Sequence, residues 1–303
     1  MVDAGVILSG LLTGTLYALI GLGLTLLSGV MRLVNLAHGE LMMVGAYLAS
    51  VVMGLFGVDP LLTLVIVVPV VMIVGYPLQR HVFTRLLRRN EEAPMVATFG
   101  LSQLIIAILV ILFGGNVRSL SAPYATQGIE LLGTTVRVSS IITAVISVVL
   151  VVATYLVVQR TQWGAALRAS AVDPQTASTM GINVERVYAL TFAVSAAFAA
   201  IAGILVGIGF AYSPSSGAKY MLIGFTVVVL GGFGSVMGTL WAGLGIGLIE
   251  AVGAAVFGTE FRELVIYVTF ILILIVVPLV VRVVKRSREA QAQRRIQLER
   301  SAA

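Results

Sequence analysis

The sequence Asn-Leu-Ala-His-Gly-Glu at residues 35–40 separates two long apolar runs in a chain of 303 residues that is 59% hydrophobic. Polar and ionisable side chains are costly to place against lipid, because they lose their hydration. Residues 35–40 therefore either line a water-filled path or mark a membrane boundary. The same break decides whether the first two runs fold as separate spans or as one broken element at membrane depth.

The composition indicates a polytopic membrane protein. Only 11% of the residues are charged, against roughly 25% in soluble domains. Runs such as 141–158 show none of the alternation that marks a transmembrane β-strand. We therefore predict an all-α bundle of about eight to ten transmembrane helices, with a broken helix near residues 31–40. Residues 1–303 are expected to form a single transmembrane domain.

Nine apolar runs long enough to suggest membrane spans support this count. They lie at 5–29, 40–57, 60–79, 94–114, 138–158, 187–211, 220–236, 238–257 and 263–282.

The basic residues predict the orientation. The loops at 80–92 and 159–186 and the tail from 282 onward together hold 14 Lys and Arg residues, and the opposite side holds four. Those four are Arg118, Arg137, Lys219 and Arg262. Cytoplasmic loops carry the excess of Lys and Arg, so we expect a cytoplasmic C-terminus and an external N-terminus in a bacterial-type inner membrane. The basic tail, 285–303, would be cytoplasmic, either as an amphipathic helix or as a disordered segment.

The sequence argues against an enzyme or a metalloprotein. It has no cysteine and only two histidines, His38 and His81. A multi-histidine metal site or a nucleophile–base set would need more of these residues. We therefore expect no catalytic residues, no metal and no cofactor.

The loop at 159–186 contains a short helix with clear signals at both ends. Asp173 is a good N-cap, Pro174 suits the first helical position and Gly181 suits a left-handed C-terminal residue. A helix is therefore predicted at 174–180. It either packs on the ends of the chain's own helices or docks a cytoplasmic partner.

Glycines mark a turn and two close helix contacts. Four of them, Gly231, Gly232, Gly234 and Gly238, predict a tight structural turn. This run lacks the Gly-Lys-Ser/Thr ending of a phosphate-binding loop. The pairs Gly10/Gly14 and Gly243/Gly247 have the four-residue spacing that lets membrane helices approach closely. The segment at 115–137 is either a connecting loop or a surface for an external partner.

Residues 35–42 provide the first candidates for a substrate path. If they are helical, Asn35 and His38 lie on one face, about 60° apart, together with Gly39 and Met42. Glu40 is then about 200° from His38. In the alternative interpretation, Asn35 and His38 bind freed backbone groups and Glu40 stabilises a helix N-terminus.

Glu250 is a further path candidate, because a carboxylate inside an apolar span is a functional candidate by default. Two structural alternatives stay open. Glu250 lies near the external interface, or it pairs with Arg262.

Three separated motifs resemble those of a known family. The stretch at 24–40, continuing to Met42, Gly45 and Ala46, resembles the N-terminal signature of LivH-type permeases, the membrane subunits of branched-chain amino acid ABC importers. The segment at 173–182 is similar to the family's cytoplasmic coupling segment. The run at 231–238, followed by Thr239 and Gly243, is similar to its late glycine-rich motif.

The resemblance implies an assembly and a mechanism. Such a permease pairs with a second homologous permease of the LivM type, with two cytoplasmic ATP-binding subunits and with an extracytoplasmic substrate-binding protein. The coupling segment would transmit ATPase movement to the membrane helices. The coupling residues implied are Asp173, Pro174, Thr176, Ala177, Met180 and Gly181.

Two alternatives remain beside import of branched-chain or related amino acids. The same architecture could import urea, short amides or small carboxylates. A self-sufficient channel or secondary transporter would instead need no cytoplasmic docking helix.

Overall fold

The computed structural model describes residues 3–87, 93–131, 133–276 and 279. In chain order its helices are α1 (Ala4–Met31), α2 (His38–Phe56), α3 (Leu64–Leu78), α4 (Thr84–Leu87), α5 (Ala93–Phe113), α6 (Pro123–Thr126), α7 (Val138–Arg160), α8 (Gln162–Val172), α9 (Pro174–Thr179), α10 (Val184–Gly209), α11 (Gly217–Gly231) and α12 (Val236–Phe257).

The protein is an all-α polytopic membrane bundle, as predicted. Seven helical segments in the described ranges are long and apolar enough to cross a membrane: α1, α2, α3–α4, α5, α7, α10 and α12. The π-helical turn Gln79–Phe83 joins α3 to α4. The run predicted at 220–236 corresponds to α11, which has 15 residues. The last predicted span is helical over 262–276, and the basic tail at 285–303 lies outside the described residues.

The predicted break lies between α1 and α2. Helix α1 ends at Met31, and Arg32 has a left-handed φ of 52°. That conformation is unfavourable for a residue with a side chain, so it ends the helix sharply. Helix α2 then begins at His38.

Helix α10 forms the centre of the bundle. Its apolar stretch is 89% buried, whereas that of α5 is only 17% buried. Helices α1, α2 and α3 pack around α10. The apolar surface of α10 is therefore covered by other helices, whereas α5 lies at the periphery of the bundle.

The two glycine pairs meet each other between α1 and α12. A Cβ atom added to Gly14 would lie 2.7 Å from the Gly243 carbonyl oxygen, and one added to Gly10 would lie 3.0 Å from the Gly247 carbonyl oxygen. The two backbones are therefore close enough that side chains at these positions would collide. The predicted role of these glycines in close helix packing is confirmed.

A short β-hairpin covers one end of the bundle, within the segment predicted as a loop or partner surface. Strands β1 (Gly128–Leu131) and β2 (Thr134–Arg137) pair antiparallel, with Gly128 opposite Arg137 and Leu131 opposite Thr134. We call this the hairpin end. Helices α8 and α9 lie beyond the opposite end of α7, which we call the α9 end.

Candidate functional site

The chain turns back into the bundle after α1. His38, the first residue of α2, makes a 3.1 Å hydrogen bond between its Nε2 atom and the Ile20 carbonyl oxygen. Ile20 lies in the middle third of α1, far from the end at Met31. Helix α2 therefore begins inside the bundle, at the depth of the middle of α1.

The polar residues of the break are enclosed by the chain. Asn35, His38, Glu40 and Met42 are each at most 2% exposed. A Cβ atom added to Gly23 of α1 would lie 2.6 Å from the His38 ring. In this conformation the side chains of Asn35, His38 and Glu40 are shielded from solvent by the surrounding protein.

Three polar atoms of the break have no hydrogen-bond partner among the described residues: Asn35 Nδ2, His38 Nδ1 and Glu40 Oε2. Leaving a buried polar group unsatisfied costs about 1–3 kcal/mol. Three such groups in one six-residue stretch make it a candidate for a site that opens to water or to a polar substrate in another conformation.

Helices α2 and α11 meet at their N-termini. A Cβ atom added to Gly217, the first residue of α11, would lie 2.8 Å from the Glu40 backbone nitrogen. Gly39 in turn packs against the Gly217 carbonyl oxygen. Free N–H groups at helix N-termini carry partial positive charge. The positively polarised N-terminus of α2 therefore lies against the first residue of α11, beside the Glu40 backbone.

The helical-phase argument for Asn35 does not apply, because the helix begins at His38 rather than at 35. Asn35 lies in the non-helical segment, where its Oδ1 atom accepts a 3.1 Å hydrogen bond from the Ala37 backbone N–H. Glu40 lies in the first turn of α2, where an acidic side chain is favourable.

Glu250 lies in α12 and is held by two neighbours. Tyr17 of α1 donates a 2.5 Å hydrogen bond to Glu250 Oε2, and Arg262 Nε lies 3.1 Å from Glu250 Oε1. The Arg262 side chain is 45% exposed, whereas that of Glu250 is 4% exposed. The pairing with Arg262 considered from sequence is present, and Tyr17 is a partner that the sequence did not suggest.

Replacing Glu250 with leucine is expected to lower the free energy of unfolding by about 1–3 kcal/mol, because the buried Tyr17 hydroxyl loses its acceptor. Thermal unfolding of the purified protein measures this. The double variant Tyr17→Phe/Glu250→Leu removes the orphaned hydroxyl and should recover part of the loss. A double variant no more stable than Glu250→Leu alone would contradict the hydrogen-bond explanation.

The predicted short helix is α9, capped by Asp173. The Asp173 Oδ1 atom accepts hydrogen bonds from the backbone N–H groups of Gln175 and Thr176, and the Thr176 hydroxyl donates to Oδ2 at 2.5 Å. Gly181 has a φ of +85°, which suits a glycine after a helix. Helix α8, which precedes α9, is an additional helix within the segment predicted as a loop at 159–186.

Two large apolar side chains flank α9 and face outward, one on the last residue of α8 and one on the C-cap of α9. Val172 is 81% exposed and Met180 is 79% exposed. Ala177 is 4% exposed and packs inward. Of the predicted coupling residues, Met180 therefore offers an apolar contact to a partner, whereas Ala177 seats α9 on the bundle.

The Asp173 cap should make α9 sensitive to acid. Hydrogen bonds from the Thr176 side chain and backbone lower the pKa of Asp173. A lowered pKa means that the carboxylate stabilises the folded cap above its ordinary pKa, and that this stabilisation is lost as the pH falls through the lowered value.

Hydrogen exchange at residues 174–180 tests this cap. Asp173→Ala should accelerate exchange at neutral pH, because the cap's acceptor is gone. Asp173→Asn keeps a hydrogen-bond acceptor, so residues 174–180 should stay protected from exchange. Their protection should no longer fall when the pH is lowered, because the asparagine side chain does not titrate. Wild-type exchange rates in Asp173→Ala would contradict the capping role.

A cleft of about 1320 Å³ lies between α9 and the end of α1. Its walls include Asp173 and Asn183 on one side and Met31, Arg32 and Leu33 on the other. The α9 segment and the start of the break thus border the same space. Helix α9 packs on α8, and α8 packs on α1, so α8 connects α9 to α1.

The glycine-rich turn joins α11 to α12. Gly232 and Gly234 have φ angles of +87° and +80°, which glycine adopts at little cost. Gly231 and Gly238 pack against each other across the turn, and Gly29 of α1 packs on Gly234. These contacts give the turn a structural role beside α1.

Comparison with known proteins gives a family for the whole bundle. Residues 6–274 match the family described as branched-chain amino acid transport system / permease component. No solved structure matches the chain.

Three relatives illustrate the range of this similarity. The high-affinity branched-chain amino acid transport system permease protein BraD of Pseudomonas aeruginosa is 30% identical over 90% of this chain and 93% of its own length. LivH of Escherichia coli, a permease protein of the same kind, is 32% identical over 89% of this chain and 92% of its own. The fructose import permease protein FrcC of Rhizobium meliloti is 29% identical over 75% of this chain and 66% of its own.

The matched region runs from the first turns of α1 into the helical segment after α12, and so includes the break, the capped α9 segment and the glycine-rich turn. The chain belongs to the family of permease components of branched-chain amino acid transport systems.

Proposed function

We propose that this chain is the permease subunit of an ATP-binding cassette importer that moves branched-chain or related amino acids inward while partner subunits hydrolyse ATP. The observation that carries the proposal is the family match over residues 6–274. It is supported by the capped helix α9, which is flanked by the exposed side chains of Val172 and Met180. The whole chain, 1–303, would serve as one permease domain, with 159–186 as its coupling loop.

The proposed complex has a defined set of partners. A second homologous permease of the LivM type completes the membrane part, two ATP-binding subunits dock on the cytoplasmic side, and an extracytoplasmic binding protein delivers the substrate. The bias of Lys and Arg toward the α9 end favours a cytoplasmic position for α9 and the C-terminus. The N-terminus and the hairpin end would then face outward.

The contacts of helix α8 support a route for coupling. Closure of the ATPase dimer would push on α9, and α8, which packs on both α9 and α1, would pass the displacement to α1 and its end at Met31. The break at 32–37 would then move relative to α11. Coupling of this kind needs an element with two arrangements, and a non-helical segment between two helices can supply it.

The proposed substrate path passes the junction of α2 and α11. The path would be lined by Asn35, His38, Gly39, Glu40 and Met42, of which Gly39 and Glu40 contact Gly217. Asn35, His38 and Glu40 carry buried polar atoms that lack partners among the described residues. Helix N-termini that meet inside a membrane bundle are a recurrent way to bind a carboxylate.

Glu250 would act further along the same path. Its pairing with Tyr17 and Arg262 favours a gate-like role over direct contact with substrate.

Co-purification tests the assembly. A tagged chain isolated from its native membrane should bring down an ATP-binding subunit and a second permease. If the intact chain is recovered without any ATPase, the importer proposal fails and a self-sufficient channel or secondary transporter becomes the better account.

The transported substrate needs a separate test, because the relative FrcC is named as a fructose import permease protein. Uptake of labelled leucine, fructose, urea and a small carboxylate would be compared in a deletion strain with and without the gene. Leucine uptake restored by the gene supports the proposal. Restored uptake of another compound, but not of leucine, would replace the proposed cargo.

A further inference from the structure

Two adjoining cavities lie at the hairpin end, beside the first turns of α1. The larger has a volume of about 500 Å³ and the smaller of about 20 Å³. They share Leu12, Thr13, Ser140 and Phe210 as lining residues, so they are neighbours, and we call the two together the vestibule. It extends along α1 from Asp3 to Leu16, about 20 Å at 1.5 Å per residue.

The larger cavity brings both signs of charge together. Asp3, Arg137 and Arg262 all line it. The Asp3 side chain makes no capping hydrogen bond at the start of α1, although Asp3 is the N-cap. Arg262 turns its Nε atom toward Glu250, which leaves its terminal nitrogens available as donors.

The walls combine several kinds of side chain. Ser9, Thr13 and Thr135 line the larger cavity, as do the apolar residues Leu12 and Phe210. The smaller cavity is bordered by Leu16 and Leu205. A ligand in the larger cavity would therefore lie beside charged, hydroxyl-bearing and apolar residues.

We propose that the vestibule is a low-affinity binding site for a zwitterionic amino acid with an aliphatic side chain. Its carboxylate would bind Arg137 and Arg262, its ammonium group would bind Asp3, and its side chain would point toward Leu12 and Phe210. This inference rests on the proposed function, and it adds where the importer first receives its substrate.

The charge pattern favours this class over others. An anion without an ammonium group would leave the Asp3 carboxylate opposed to it, and a cation would be repelled by both arginines. A sugar would use the hydroxyl groups but neither sign of charge. The larger volume lies within the range of about 300–1,000 Å³ that small-molecule sites occupy.

The test uses the purified permease complex without its binding protein. Binding of three labelled compounds is measured: leucine, 4-methylpentanoate, which lacks the ammonium group, and leucinol, which lacks the carboxylate. Arg137→Gln should weaken leucine and 4-methylpentanoate about tenfold and leave leucinol within about twofold. Asp3→Asn should weaken leucine and leucinol about tenfold instead.

Arg118→Gln is the matched control, because Arg118 is an exposed arginine at the same end of the bundle that lines neither cavity, and it should change none of the three affinities. Unchanged leucine binding in both vestibule variants, equal losses for all three compounds, or no leucine binding by the wild type would each overturn the site.

A parallel uptake assay separates this inference from the proposed function. If the wild-type complex transports leucine with ATP and the vestibule variants bind leucine normally, the result overturns the vestibule site but not the proposed function. Wild-type complex that transports no leucine with ATP and binding protein present overturns the proposed function itself.

Discussion

Leucine in place of Gly243 is expected to destabilise the protein by about 3 kcal/mol, the upper part of the range for overpacked positions. A Cβ atom at residue 243 would lie 2.5 Å from the Ala18 backbone nitrogen and 2.7 Å from the Ala18 Cα atom. Backbone atoms cannot rotate away as a side chain can, so α1 and α12 must separate. In a membrane, helix association depends on such close packing. Thermal unfolding of the detergent-purified protein measures the loss.

Gly245→Leu is the matched control. Gly245 lies on the same helix, and nothing in the described structure lies within 4 Å of an added Cβ atom there. The Gly245→Leu variant makes the same Gly-to-Leu replacement, with the same change in helix propensity and side-chain hydrophobicity. Equal unfolding temperatures for the two variants would show that the close approach of α1 and α12 does not determine stability.

Replacing Met180 with glutamate is expected to weaken ATPase binding at least tenfold and to abolish ATP-driven uptake. Met180 is 79% exposed beside α9, so a charge there leaves the fold of the chain intact. At a docking contact, the same charge removes a buried apolar anchor, and such central anchors are typically worth about 2 kcal/mol or more. Pull-down of the ATP-binding subunit at graded concentrations measures the change.

Met180→Leu is the control, because it keeps an apolar side chain of similar size. It should retain ATPase binding and uptake. Ala177 would be a poor test, because a bulky charge at this buried position would unseat α9 as well as block docking. Normal ATPase binding and uptake by Met180→Glu would exclude α9 as the docking helix.

Sequence reasoning located the seven long apolar segments and the break because both depend on local chemistry. Apolar length predicts a membrane helix, and polar residues at 35–40 predict an interruption. The cap at Asp173 is equally local, since its partners Gln175 and Thr176 are two and three residues away. Each of these features is encoded within a few residues of where it acts.

The site itself depends on contacts between distant parts of the chain. His38 reaches back to Ile20, and Gly217 packs on Glu40. No local pattern gives the depth of α2 or the convergence of its N-terminus with that of α11. For the same reason the sequence left Glu250 with two structural alternatives and did not reveal Tyr17 as its partner.

The hairpin at 128–137 was missed although a weak signal existed. Val136 and Val138 alternate with polar or charged residues, and Gly133 adopts a φ of +76° between the strands. Two four-residue strands are too short for alternation alone to distinguish them from a loop. Their pairing also places Thr135 and Arg137 at the vestibule, which the sequence could not indicate.

Uptake of labelled leucine into proteoliposomes tests the central claim most directly. The chain would be reconstituted with its second permease and two ATP-binding subunits, with ATP on the side of α9 and the loaded binding protein on the other. The account predicts that leucine accumulates against its gradient and that accumulation stops when ATP is omitted or replaced by a non-hydrolysable analogue. Leucine that equilibrates through the chain alone, without ATP or partners, would contradict the account.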